Sequence, residues 1–160
     1  MTEARRALVD DVDELVRLRM VMLASMAGHE LAPGPWQERA AATLTRRLAD
    51  PNGTMAAFVV DRPDQHGTLA ACAVGVIEHR LASPDNPTGE IGYVFNVATD
   101  PDHRRRGYSR ACMRALLSWY ERRGGTRIDL RASEDGAPLY LALGFQPTHG
   151  PTLRLDAPSG

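Results

Sequence analysis

The run Asn96-Val97-Ala98-Thr99-Asp100-Pro101-Asp102-His103-Arg104-Arg105-Arg106-Gly107-Tyr108-Ser109-Arg110-Ala111 concentrates the chemistry of this chain. It reads as a strand end, a tight turn, and a cluster of arginine and glycine that opens a long helix. The first N–H groups of a helix lack intrahelical acceptors and carry a partial positive charge. With arginine side chains beside them they make a seat for a phosphate or diphosphate. Neither the GxxxxGK[ST] pattern of a P-loop nor a Rossmann fingerprint is present. On spacing alone, a solvated basic helix start that serves only solubility fits as well.

Other reactive side chains are sparse. Cys72 and Cys112 stand in apolar surroundings, in neither a CxxC nor a zinc-ligand spacing, and read as small core residues. His29, His66, His103 and His149 fall in predicted loops without a ligand partner at useful spacing, so no metal site is assigned. All nineteen basic residues are arginine, which removes any lysine nucleophile or Schiff base.

The segment Val97-Ala98-Thr99-Asp100-Pro101 followed by Arg104-Arg105-Arg106-Gly107-Tyr108-Ser109 resembles the acetyl-CoA motif of the GNAT (GCN5-related) N-acetyltransferase superfamily, [QR]-x-x-G-x-[GA]. Arg104 takes its first position and Gly107 its fourth; Ser109 replaces the usual glycine or alanine, and Arg105 stands where many members have glycine. A later segment, Ser133-Glu134-Asp135-Gly136-Ala137-Pro138-Leu139-Tyr140-Leu141-Ala142-Leu143-Gly144-Phe145, is similar to the family's N-x-x-A-x-x-L-Y-x-x-x-G-F. Leu139, Tyr140, Gly144 and Phe145 match, while Ser133 replaces asparagine and Gly136 replaces alanine. The two motifs come in the family's order, separated by one helix and one strand.

The resemblance implies transfer of an acetyl group from acetyl-CoA to the amine of a small molecule or peptide by direct attack. It implies a coenzyme cleft where two strands splay, aided by a bulge. The backbone of Val97 and Thr99 would bond the pantetheine arm like an added strand. The amides from Arg105 through Gly107, Tyr108 and Ser109 to Arg110 would cradle the diphosphate, with Arg104, Arg105 or Arg106 side chains reaching in from the rim. A backbone N–H near Val97 or Ala98 would polarise the thioester carbonyl. Ser133 and Tyr140 would border the pantetheine arm, and Tyr140 stands where members place the acid that protonates the departing thiolate. Glu90, Glu78 and His79 are candidates for draining the amine's proton through water. The acceptor pocket is expected from the first two helices and late loops, with Glu30, Glu38, Asp85 and Glu90 attracting a cationic amine and Trp36 and Tyr93 stacking on it. A non-catalytic acyl-CoA sensor of the same fold is the alternative. Relatives are commonly dimers, which leaves a homodimer open.

These residues need a frame. Ala4 to Leu8 reads as a short edge strand, Asp10 and Asp11 as caps of a helix to Ala27, and Trp36 to Ala49 as a second amphipathic helix. The period then changes to two: Met55 to Asp61, Leu69 to His79 and Glu90 to Thr99 read as strands. A helix from Gly107 to Arg123, a strand from Ile128 to Ala132, a short helix from Pro138 to Leu143 and a final strand between Thr148 and Leu155 complete the order. The fold class is α+β, a mixed, mostly antiparallel sheet of about six to seven strands flanked by about four helices.

A chain of 160 residues with 43% hydrophobic residues suits one globular domain over residues 1–160. A net charge of −1 argues against a nucleic-acid partner. No apolar run reaches membrane length and the start does not read as a signal peptide, so the cytoplasm is the expected location and no membrane partner is expected.

Overall fold

In a computed structural model the chain is described over residues 3–125 and 127–158. In chain order it forms β1 (Arg5–Arg6), α1 (Val12–Ala27), α2 (Pro35–Leu48), β2 (Met55–Asp61), β3 (Leu69–His79), β4 (Glu90–Thr99), α3 (Tyr108–Arg122), β5 (Ile128–Leu130) and α4 (Ala137–Ala142). The strands lie side by side in that same order. β1 to β4 pair antiparallel, and β5 joins β4 in parallel. Among the described residues the sheet has five strands, fewer than the six to seven expected. The tail over 148–155 is not a strand: its alternating Leu153 and Leu155 are 87% and 96% exposed, with no layer to cover them. Among the described residues no helix is long and apolar enough to cross a membrane.

Strand alternation sorts the core into two layers. Met55, Ala57 and Val59 face α1 and α2, meeting Leu15, Leu18 and Leu44. Ala56, Phe58 and Val60 face α3, meeting Cys112, Met113 and Leu116. Small residues at Ala70, Ala71 and Ala73 let α3 approach that face. Both cysteines are buried here as expected, and burial pushes the Cys72 thiol up to about 12.

The sheet is irregular at one decisive place. Val74 pairs with Asn96 and Gly75 with Val94, so Phe95 is an extra residue with nothing opposite. The bulge breaks alternation: Val94 and Val97 face the α3 layer, while Phe95 packs on the α1 side. Asn96 also turns that way, its Nδ2 3.8 Å from Cys72 Sγ. From the other layer Tyr120 buttresses the distortion, its hydroxyl 3.0 Å from the Val76 carbonyl and 3.2 Å from that of Tyr93. The ring fits because Gly75 and Gly92 have no side chains: a Cβ would lie 2.2 Å from Tyr120 Oη at the first and 2.6 Å from Cε1 at the second.

A polar knot ties α1 to the end of β4. Arg17 donates to Glu14 at 2.7 Å, to Asp100 at 2.8 Å and to the Leu69 carbonyl at 3.0 Å. Glu14 also accepts the Leu69 amide at 2.9 Å. Burial opposes ionisation of Glu14 and Asp100, but the Arg17 bonds and backbone donors outweigh it and hold both carboxyls below their usual range. A carboxylate with a depressed folded pKa adds stability above its unfolded value and loses it as pH falls through the folded one.

Two outcomes follow. Gly92→Ala loses about 2–3 kcal/mol by urea titration, and much less when Tyr120 is already leucine, because the clash partner is gone. Asp100→Asn loses about 1–2 kcal/mol at pH 7. Its deficit against the parent protein shrinks as the titration is repeated below about pH 4.

Candidate active site

β5 stays beside β4 only from Gly92 to Val94, where the last pair is Val94 with Leu130. β4 then continues to Thr99 with no strand on that side among the described residues, and the parting begins at the bulge. A cavity of about 920 Å³ opens there, and Val97, Ala98 and Thr99 line it. Arg104, Arg105 and Arg110 line one end, Arg19 and Met22 of α1 another part, and Ser133, Gly136 and Tyr140 the side toward α4. A second cavity of about 670 Å³ shares Tyr93, Leu130, Arg131, Tyr140 and Arg154 with the first. The space suits an extended ligand meeting a smaller one.

The turn between β4 and α3 is shaped by two left-handed residues. Gly107 has φ 79° and Arg105 has φ 64°, the only positive value at a non-glycine residue among those described. Left-handed backbone is free for glycine and costs a side-chain-bearing residue on the order of 1–2 kcal/mol. The turn swings α3 so that its first amides are exposed to the cleft. The Ala111 amide is the first to find a carbonyl, that of Gly107 at 3.0 Å; those of Tyr108, Ser109 and Arg110 meet no protein acceptor among the described residues. Open amides beside three arginines form an anion seat. The hydroxyls of Ser109 and Thr99 hydrogen-bond to each other, joining the helix start to the strand end. Serine in place of glycine or alanine therefore has a local role.

His103 lies under this turn rather than in an open loop. It is buried, stacks on Tyr108 with centroids 6.3 Å apart, and places Nε2 3.3 Å from Asp64. Its contact partners were not visible in sequence, since Asp64 comes from the β2–β3 turn. Arg106 is exposed and lines neither cavity.

Tyr140 is half-buried, edge-on to Phe145 at 6.1 Å, and burial raises its phenol above the ordinary value. A Cβ at Gly136 would come within 3.0 Å of its Cε2 and 3.1 Å of Ser133 Oγ. The glycine that replaces the usual alanine thus gives this ring its room. Ser133 Oγ accepts the Gly136 amide at 3.1 Å and opens the α4 turn.

The candidate bases are not brought to this space. Glu90 sits 3.7 Å from His79 at the start of β4, roughly 17 Å from the bulge along an extended strand. Glu78 is paired with Arg80 at 2.9 Å. Glu30, Glu38, Asp85 and Trp36 line neither cavity, and Asp85 is held by Arg127 at 2.9 Å. The carboxylates on the walls are Asp135 in the first cavity and Asp129 in the second. Asp129 pairs with Tyr93 across the strands; an acid inside a short apolar strand was the signal for it.

Arg105→Val should lose about 1–2 kcal/mol by urea titration, because a β-branched residue resists φ 64°, whereas Arg105→Gly should stay within about 1 kcal/mol of the parent.

Comparison with known proteins agrees with this geometry. The family model described as Acetyltransferase (GNAT) family matches residues 21–145. A predicted acetyltransferase of Clostridium acetobutylicum, solved with acetyl-CoA, superposes with a TM-score of 0.81 at 25% identity, covering 98% of this chain and 96% of that one. A GCN5-related N-acetyltransferase of Ralstonia eutropha JMP134 gives a TM-score of 0.81 at 27% identity over 97% and 99% of the two chains. The [ribosomal protein bS18]-alanine N-acetyltransferase of Escherichia coli K12 is 42% identical over 84 residues, 51% of this chain. That match spans half the length, 50%, of the curated relative. The chain belongs to the GNAT acetyltransferase family, whose cosubstrate is acetyl-CoA.

Proposed function

We propose that residues 1–160 form one acetyltransferase domain that moves an acetyl group from acetyl-CoA to an amine. One observation carries this reading: β4 leaves its neighbour at the Phe95 bulge and runs directly into a helix start whose amides are open. A splayed strand and an anion seat, joined in one cleft, fit a long ligand with an amide-bearing arm and a diphosphate.

When bound, the thioester supplies an acyl group activated toward an amine. The chain's own residues do the rest. Backbone groups of Val97 to Thr99 on the edge away from β3 bind the arm by strand-like hydrogen bonds. The amides of Tyr108, Ser109 and Arg110 hold the diphosphate, with Arg104, Arg105 and Arg110 neutralising it. Tyr140 keeps its proton at neutral pH because burial disfavours the phenolate, so it can donate that proton to the leaving sulfur. Asp129, on the wall that Tyr140 and Tyr93 share, receives the amine's proton through water.

Tyr140→Phe should lower kcat about a hundredfold while the rise in melting temperature produced by acetyl-CoA stays unchanged. Thiol release by the variant at the parental rate would remove Tyr140 from the mechanism. Failure of every amine in a broad panel to release thiol would remove the activity itself.

A further inference from the structure

The acceptor end of the cleft has the opposite charge from that expected. None of Glu30, Glu38, Asp85 or Glu90 reaches it; Arg19, Arg131 and Arg154 do. The other half-buried arginines are occupied: Arg6 stacks over Trp119, Arg47 donates to the Thr54 hydroxyl, and two are matched by acids. Arg17 holds Glu14 and Asp100, and Arg62 lies within 3.9 Å of Asp100. Arg19, two residues beyond Arg17 on the same helix, has no carboxylate partner among the described residues. Its Nη1 meets only the amide oxygen of Asn96, at 3.3 Å. Burial without a counter-charge holds it below the ordinary arginine value. An arginine cannot shed its proton to escape that cost, so the site retains a cation without a counter-charge.

Its position separates it from the coenzyme's phosphates. Asn96 directly follows the bulge, where β4 parts from β5, whereas Arg104, Arg105 and Arg110 gather at the other end beside α3. Arg131 and Arg154 are exposed, line both cavities and have no carboxylate partner among the described residues. Asp129 lines the second cavity, together with Tyr140. A cation on the α1 side and an acid on the β5 side match a molecule carrying both charges.

We infer that the acceptor is an amine that also bears a carboxylate, the pattern of an amino acid, with Arg19 anchoring the carboxylate and Arg131 and Arg154 drawing it in. The inference rests on the acetyl-transfer reading above. A charge-assisted, forked contact discriminates a carboxylate from a carboxamide by roughly ten- to a hundredfold.

The test offers the twenty α-amino acids and their carboxamides as acceptors, with acetyl-CoA and separately with succinyl-CoA. In parallel, the N-acetylated acids and amides are added to the CoA-saturated protein and the melting temperature is read. The parent protein should favour acids over amides at least tenfold in kcat/KM, and the acetylated acid should raise the melting temperature more than its amide. Arg19→Gln should bring both differences close to nothing while the shift produced by acetyl-CoA remains; Arg19→Lys should restore part of them. If Arg19→Gln does not fold, Arg131→Gln and Arg154→Gln carry the same comparison.

Equal use of acids and amides by the parent protein overturns the inference and leaves acetyl transfer standing. A preference that survives Arg19→Gln also overturns it, as does a change confined to succinyl-CoA, which would place the carboxylate on the donor. If no amine releases thiol, the activity reading fails instead. The melting-temperature comparison then still decides whether Arg19 selects a carboxylate.

Discussion

One surplus residue in β4 organises this molecule. Inserting Phe95 between two paired positions bends the strand and shifts its alternation, so Phe95 and Asn96 both turn toward α1. The same event ends pairing with β5 and leaves the far half of β4 with an unshared edge. A free strand edge in a sheet interior is unstable without support, since its polar groups need partners. Support on one side comes from Tyr120, whose hydroxyl meets two strand carbonyls and whose ring occupies the volume vacated by two glycines. On the other side the partners must come from a ligand or water. The cleft is thus a defect held open by the α3 layer.

The open helix start depends on that defect through the chain's continuity. β4 ends at Thr99, whose hydroxyl bonds Ser109, and at Asp100, which Arg17 grips from α1. These two contacts fix where α3 begins relative to the free edge. The left-handed Arg105 is then the local cost of turning sharply enough to expose the first helical amides. A strained residue at a ligand-binding turn is sustained by the packing around it, here His103 on Tyr108 beneath the loop.

Much of the frame was legible because strand period and punctuation agree. β2, β3 and β4 begin and end where the alternation and the flanking Asn-Gly, Asp-Pro and Gly residues place them. The tail was not legible, since alternating Leu153 and Leu155 carry the strand pattern without a surface to bury it. The bulge was expected from the family resemblance, but its position was not legible in the alternation: Val94 and Val97 share a face although three residues apart, which looks like noise in a period of two. Glu90 begins β4 as read, but the cleft opens toward the other end, because sequence locates a residue along a strand and not the point where the strand leaves its neighbour. Arg19 was hidden on the polar flank of an amphipathic helix, where an unpaired charge and a solvated one read the same.

The absence of lysine gives the cleft a particular electrostatic character. The permanent cations on its walls are arginines, so that positive charge is not titrated away at any pH at which the fold persists. Any proton exchange in the cleft is left to groups other than these cations, among them the Tyr140 phenol, whose proton burial retains. Permanent cations also weigh against a free ammonium entering alone and favour the neutral amine that attack requires. A carboxylate on the same molecule offsets that repulsion at the entrance. Under the acetyl-transfer proposal, the arginines beside the open amides and those elsewhere on the cleft walls work on one problem, bringing a nucleophile uncharged into a positively charged groove.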